Sequence, residues 1–269
     1  MRRVSFLWIA IVTSLFLSIE LSFLIANLQK IAEGGWITLL IGFVLFMIMF
    51  VWWKGKKVKD SIMQLVPMDH YYSILKKLSE DTSIPKYATN LVYLTASNTN
   101  GKIERSVIDS ILHTGTPKRA DIYWFVHVNV LNEPYGLNYN VDTIVKDDIY
   151  FIAFNLGFRI EPRIDYYFRQ VVAEMVNNKE VNLSTSQEIK YQEHAFGDFK
   201  FVVRDSFLSF DNNMPFWKNF IMKSYYNLKY MSVSEPINFG LDKSNMVIEK
   251  YPLVVVPYKE NKLMRYHKK

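Results

Sequence analysis

Apolar residues form two long blocks at the start of the chain and short, spaced runs after it. From Val4 to Leu28, twenty-five residues run with Glu20 as their one ionisable side chain, and from Trp36 to Trp53 eighteen follow with none. A bilayer core of about 30 Å takes roughly 20 helical residues at ~1.5 Å each. Both blocks reach that length, the second only just. Arg2 and Arg3 ahead of the first block also fit the start of a signal peptide, whose apolar region is typically about 7–15 residues long. This block is longer, and no small-residue cleavage site follows Leu28. The pattern therefore predicts two transmembrane helices, about 4–28 and 36–53, within residues 1–60, joined by a short loop, Gln29–Gly35.

Past residue 60 the period changes. Residues 61–84 read as a linker helix, amphipathic over Ser61–Glu80, with Pro67 as a break or first-turn residue. Leu91–Ser97 is a candidate buried strand and Asn98–Gly101 a turn. Ile103–His113 reads as a helix, and Ile122–Val130 and Ile149–Phe158 as strands dense in β-branched and aromatic residues. Ile164–Asn177 reads as a helix, Phe199–Asp205 as a strand and Phe216–Ser232 as an aromatic-rich helix. Met246–Glu249 and Leu253–Val256 add two short strands. The fold class is thus a membrane α-helical hairpin plus an α/β domain over residues 85–258, large enough for its own core. A basic tail, 259–269, follows, with a composition suited to anionic lipid.

Charge orients the hairpin. Residues 1–60 carry seven Lys/Arg against three Asp/Glu, whereas residues 61–269 carry 25 against 23. Arg2 and Arg3 flank the first span, and Lys54, Lys56, Lys57 and Lys59 directly follow the second. Basic flanks stay in the cytoplasm. The expected topology is a multi-pass membrane protein with the Gln29–Gly35 loop outside and the α/β domain cytoplasmic. The same lysines could form a nucleic-acid patch, but their place beside a span argues for topology and against nucleic acid. The chain has no cysteine, which suits a reducing compartment.

The spans carry polar stripes. Thr13, Glu20 and Asn27 are seven apart and share one face of the first helix; Ser14, Ser18 and Ser22 are four apart and share another. Small residues permit close helix packing, and an intramembrane carboxyl faces protein or water. Glu20 is either a proton or cation relay or a carboxyl satisfied by a neighbouring helix. Both readings ask for partner helices or a second copy. Trp36, Trp52 and Trp53 mark the interfacial ends of the second span, and Gly34–Gly35 allow a sharp re-entry.

Catalytic chemistry is poorly supported. His70, His113, His127, His194 and His267 are scattered, without metal-ligand spacing, and no GxGxxG or GxxxxGK[ST] occurs. His127 lies in an apolar strand, as a core or edge histidine. Asp147 and Asp148 are neighbours that would point to opposite faces; Asp211, Asn212 and Asn213 read as a turn. No enzyme, cofactor or metal site is expected.

The loop between the spans carries a resemblance. Asn27-Leu28-Gln29-Lys30-Ile31-Ala32-Glu33-Gly34-Gly35-Trp36, followed by Leu39-Leu40-Ile41-Gly42, resembles the junction "ANLxKIxEGGWFPLLIG" between the last two helices of the KUP (KUP/HAK/KT) potassium-uptake permeases, with Thr38 where Pro is usual. Glu20 falls where that family has an acid in its penultimate helix. Tyr87–Ala96 is similar to its "VPGTAVFLT" segment. Asn155-Leu156-Gly157-Phe158 with Glu161-Pro162 is similar to "RYGFxExP", and Phe207-Leu208-Ser209 and Phe239-Gly240-Leu241 also have counterparts. Ser110–Arg119 keeps only Leu112-His113 of the family's "LLHNLKHN".

The resemblance implies the C-terminal portion of a potassium transporter: the last two helices of a LeuT-like, inverted-repeat bundle and a cytoplasmic regulatory domain. The parent would import potassium coupled to protons through helices of its N-terminal two-thirds, so no ion-binding residue is assigned here and this portion alone would not transport. The implied partners are membrane lipid, the remaining transmembrane helices or a homodimer partner, and a cyclic dinucleotide at the cytoplasmic domain. The alternative is an autonomous two-helix anchor that presents a ligand- or partner-binding domain.

Overall fold

The computed structural model describes residues 6–97, 101–183, 199–210, 212–232, 238–241 and 246–256. Arg2, Arg3, most of the Asn98–Gly101 turn, His194, Asp211, His267 and the 259–269 tail lie outside the described residues. The chain divides into two compact units, residues 1–55 and 56–269, each of which is described by itself.

The first unit holds α1 (Phe6–Lys30) and most of α2 (Trp36–Ile62), separated by a wide π-type turn at Ile31–Gly35. At about 1.5 Å per residue, α1 is roughly 38 Å long. Both helices are long and apolar enough to cross a membrane. No residue of α1 is buried, which is the state of a helix whose apolar surface awaits lipid or other helices. α1 runs two residues past Leu28, and α2 continues nine past Trp53, so that Lys54, Lys56, Lys57 and Lys59 are helical.

The second unit is built on a six-stranded sheet of order β5-β6-β4-β2-β7-β8. Its strands are β2 (Lys86–Thr95), β4 (Arg119–Leu131), β5 (Leu137–Val145), β6 (Ile149–Gly157), β7 (Phe199–Leu208) and β8 (Met246–Leu253). All pair in parallel except β5, which lies antiparallel against β6 at one edge. A parallel sheet is covered on both faces, which is why its inner strands read as unbroken apolar runs. Alternate residues go to opposite cores: Val92, Leu94, Trp124, Val126, Ile152 and Phe154 to one, Leu91, Tyr93, Tyr123, Phe125 and Phe151 to the other.

Helix α5 (Ile164–Asn177) covers the first face through Ile164, Phe168, Val171, Val172 and Met175, one stripe at helical spacing. Phe168 meets Trp124, Phe199 and Phe201 edge-on, and Trp124 stacks on Tyr150 at 4.7 Å. The Trp124 indole donates to Asn90 Oδ1, which satisfies the one buried asparagine on that strand. The opposite face is covered by α3 (Asp69–Glu80) through Leu75 and Leu78, and by α4 (Arg105–Leu112) through Val107, Ile108 and Ile111. Helix α6 (Phe216–Met231) joins β7 to β8.

Three expectations need correction, and one strand was unforeseen. Residues 61–84 are not one linker helix: α2 ends at Ile62, Leu65–Pro67 is strand β1, and α3 begins at Asp69. β1 pairs antiparallel with β3 (Lys102–Glu104), so the Ile103–His113 segment starts as strand and turns helical at Arg105. α3 is not a spacer either, because its leucines belong to the core. β5 was unforeseen, since it is an edge strand with little apolar patterning. Met246–Glu249 and Leu253–Val256 are not two strands, because β8 runs unbroken through Pro252. An edge strand tolerates that proline where a central one would lose a ladder bond.

Candidate functional site

The turn between α1 and α2 is where the quoted motif acquires a physical cause. Gly34 has φ 124° and ψ −6°, a backbone state that L side chains avoid and that breaks the helical path. A β-carbon on Gly35 would sit 2.8 Å from the Lys30 carbonyl oxygen, with the backbone as the obstacle. The Trp36 N–H instead bonds the carbonyls of Ile31 and Gly34. Glu33, Trp36, Asn27 and Lys30 are exposed around this turn, as is Glu20 on α1. Among the described residues, no hydrogen bond or ion pair joins Glu20 to another singled-out residue. Ser18 and Ser22 donate to the carbonyls four residues back, at 2.8 and 2.9 Å, so those two hydroxyls are satisfied within the helix.

Two quoted segments of the second unit meet, Glu161-Pro162 and Phe239-Gly240. Tyr87–Thr95 lies in β2, at the centre of the sheet. The Ile164 N–H, two residues beyond Glu161-Pro162, donates to the Phe239 carbonyl at 2.9 Å. Gly240 has φ 60°, and a β-carbon there would lie 2.6 Å from the Pro162 carbonyl. The Ser209 N–H, closing Phe207-Leu208-Ser209, donates to the Leu253 carbonyl.

Among the described residues of this unit, a recess opens at the carboxyl ends of β2, β4 and β7. From β2 the chain passes by α4 to β4 on one side; from β7 it passes by α6 to β8 on the other. Adjacent strands whose connections diverge leave a crevice at their carboxyl ends, the usual ligand position in open α/β sheets. Here the crevice is about 260 Å3 and is lined by Thr95, Glu104, His127, Arg204, Phe239 and Tyr251 among others. A second recess of about 250 Å3 shares Lys59, Met63, Glu104, Ser106 and Tyr251 with it. Together they reach the size range of small-molecule sites. Burial pushes the Glu104 carboxyl above its ordinary range, against the pull of the Ala96 N–H that it accepts at 2.5 Å. His127, half-buried on the interior strand β4, holds the Thr95 carbonyl through Nδ1 at 3.0 Å.

Beside the crevice lies an ionic cluster that sequence reading did not single out. Glu249 of β8 accepts from Lys118, from Arg204 Nη1 of β7 at 2.9 Å, and from Ser110 Oγ of α4 at 2.5 Å. The Ser110 oxygen lies 2.7 Å from Lys118 Nζ and 2.7 Å from the Tyr93 hydroxyl. Lys118, Arg204 and Glu249 side chains are only 8, 9 and 14% exposed. Burial alone would raise the Glu249 carboxyl, but its hydrogen bonds from Lys118 and Ser110 and the adjacent cations hold it below the usual carboxylate range. Arg204 also stacks over the Tyr251 ring at 4.7 Å. The signal in the sequence was a charge inside each of two apolar strand runs, FKFVVRD and MVIEK.

Asp147 and Asp148 serve different segments: Asp147 accepts the Asn182 N–H, and Asp148 accepts the Ser79 hydroxyl. No group of three or more metal-ligating side chains occurs among the described residues.

Comparison with known proteins places both units. The family described as K+ potassium transporter integral membrane domain matches residues 1–57, and K+ potassium transporter C-terminal domain matches residues 88–255. The chain is 44% identical over 266 residues to "Probable potassium transport system protein Kup" of Cytophaga hutchinsonii, which covers 99% of this chain and 40% of that relative. It is 48% identical over 255 residues to the protein of the same description from Flavobacterium johnsoniae, covering 95% of this chain and 39% of the relative. A Clostridium perfringens relative is 37% identical over 258 residues. The chain thus spans about 40% of the length of the curated relatives it matches. No solved structure matches it.

Proposed function

This chain belongs to the K+ potassium transporter family, and from that premise we propose that it acts as the C-terminal portion of a potassium-uptake permease. The observation that carries this reading is the order of the two family matches, membrane domain over residues 1–57 and C-terminal domain over 88–255. α1 and α2 would be the last two spans of a LeuT-like bundle in the bacterial inner membrane, with the 31–35 turn outside and the α/β unit cytoplasmic. Import would be coupled to protons, along a path supplied by helices outside this chain. The exposed stripes of α1, Glu20 included, would face those helices or a second copy.

The α/β unit would serve regulation, with the joined recesses at the ends of β2, β4 and β7 receiving a small cytoplasmic ligand. A cyclic dinucleotide is the class we propose, supported by the mixed lining of Lys59, Arg204 and Glu104 beside the aromatic Tyr251 and Phe239. The test of the first reading is growth. Expressed alone in a strain deficient in potassium uptake, this chain should not restore growth at low potassium, whereas co-expression with the preceding membrane helices of a relative should. Rescue by the chain alone, or failure of the complemented pair when both pieces reach the membrane, would overturn it. For the ligand, calorimetry on the purified chain should give saturable heat with a cyclic dinucleotide that Arg204→Ala abolishes.

A further inference from the structure

Two cations, Lys59 and Arg204, and one acid, Glu104, line the larger of the joined recesses among the described residues. Glu104 also lines the second recess, so it sits where the two meet. It closes strand β3, in register with Leu65 of β1, and its side chain turns to accept the Ala96 N–H at the end of β2 at 2.5 Å. Only 7% of the residue is exposed. Its carboxyl is thus fixed in position, and its charge is felt by whatever fills the crevice.

The groups that face it come from every element around it. Burial holds the carboxyl above the ordinary 4.5, while the Ala96 N–H and the Thr95 side chain of β2, Lys59 of α2 and Arg204 of β7 pull the other way. Tyr251 of β8 responds to the charge on Glu104 in return. His127 of β4 lines the same recess, and as an imidazole it is the alternative proton acceptor. The second recess adds Arg105 and Asp109 of α4, an exposed pair 3.7 Å apart.

We propose that the crevice is a proton-linked anion site in which a phosphate-bearing ligand binds with uptake of a proton by Glu104, so that affinity rises as pH falls. The inference rests on the reading of the crevice as a ligand site and adds its regulation. An ionised Glu104 offsets one of the two cations and repels a phosphate beside them, whereas the neutral acid does neither. By reciprocity, the bound anion makes Glu104 easier to protonate. Because burial has already moved the carboxyl upward, the exchange falls nearer neutrality than at a surface glutamate.

Calorimetry on the purified chain would use cyclic di-AMP and cyclic di-GMP, whose phosphodiesters stay ionised throughout, from about pH 7.5 to 5.5. Each titration run in two buffers of different ionisation enthalpy counts the protons taken up. Affinity should tighten by up to about tenfold per unit fall in pH, with uptake of up to about one proton per ligand. Glu104→Gln keeps an acceptor for the Ala96 N–H. At the top of the range it should bind as tightly as the parent does at the bottom, with no proton uptake; a merely structural lesion would weaken binding instead. Heat that ignores pH, or uptake that survives Glu104→Gln and disappears in His127→Gln, would overturn the proton linkage and leave the ligand reading standing. Saturable heat with neither dinucleotide at any pH would overturn both.

Discussion

Arg204 and Glu249 stand opposite each other in the parallel register of β7 and β8, and their side chains close a 2.9 Å ion pair across the two strands. Lys118 reaches the other carboxylate oxygen from the start of β4. One carboxylate therefore holds two buried cations and a serine hydroxyl. Breaking a buried pair from one side strands the charge that remains.

Glu249→Gln should therefore destabilise the α/β unit by about 3–5 kcal/mol, since both cations lose their counter-charge. The control is the triple replacement of Lys118, Arg204 and Glu249 by apolar residues of similar volume, which should cost far less. Chemical denaturation followed by near-UV circular dichroism would read both. A loss as small for Glu249→Gln as for an exposed residue would mean that the cluster is not electrostatically coupled.

Acid should act on two glutamates in opposite directions. Glu249 is held below the ordinary 4.5, so its contribution is complete above that value and is lost as pH falls through its folded pKa. Glu104 is raised by burial, so its contribution is present below 4.5 and is lost as pH rises through its folded pKa. Glu104→Gln keeps an oxygen for the Ala96 N–H and removes that penalty. Its stability relative to the parent should improve as pH rises above 4.5, measured as a shift in denaturation midpoint across a pH series. The gap between Glu249→Gln and the parent should instead narrow in acid.

The aromatic core gives a simpler expectation. Phe168 is fully buried and meets Trp124, Phe199 and Phe201 edge-on. Phe168→Ala should cost about 3–5 kcal/mol, from lost transfer energy and the cavity left behind. Phe168→Leu should recover more than half of that in the same denaturation experiment. Equal losses for both would point to the ring contacts alone.

The sequence was most legible where burial is two-sided. β2, β4 and β6 announce themselves as apolar runs because both faces are covered, and α5 because its stripe keeps helical spacing through Met175. β5 was hidden because an edge strand with polar outward positions, LNYNVDTIV, resembles a loop. β1 and β3 were hidden because each is only three residues long and takes its identity from the other. The ionic cluster is a long-range object: Lys118 lies 131 residues and Arg204 45 residues from Glu249. No local pattern can foretell that pairing. The 31–35 turn was legible for the opposite reason, since its constraint is local to adjacent glycines.

That turn supplies the last expectation. A β-carbon on Gly35 would meet the Lys30 carbonyl at 2.8 Å, a backbone atom that cannot swing aside, whereas one on Gly34 meets nothing within 4 Å and is opposed only by φ. Strain of the Gly34 kind typically costs about 1–3 kcal/mol. Gly35→Ala carries no such φ strain but must displace the end of α1, so it should be the more damaging substitution, although both add a single methyl group. Each variant's apparent melting temperature in detergent would be compared with that of Gly42→Ala, a glycine within α2 with open space around it. There alanine should be neutral or stabilising by helix propensity. An order of Gly35 below Gly34 below Gly42 fits a turn governed by close backbone approach. If Gly35→Ala melts with Gly42→Ala, the Lys30 contact is not what shapes the turn.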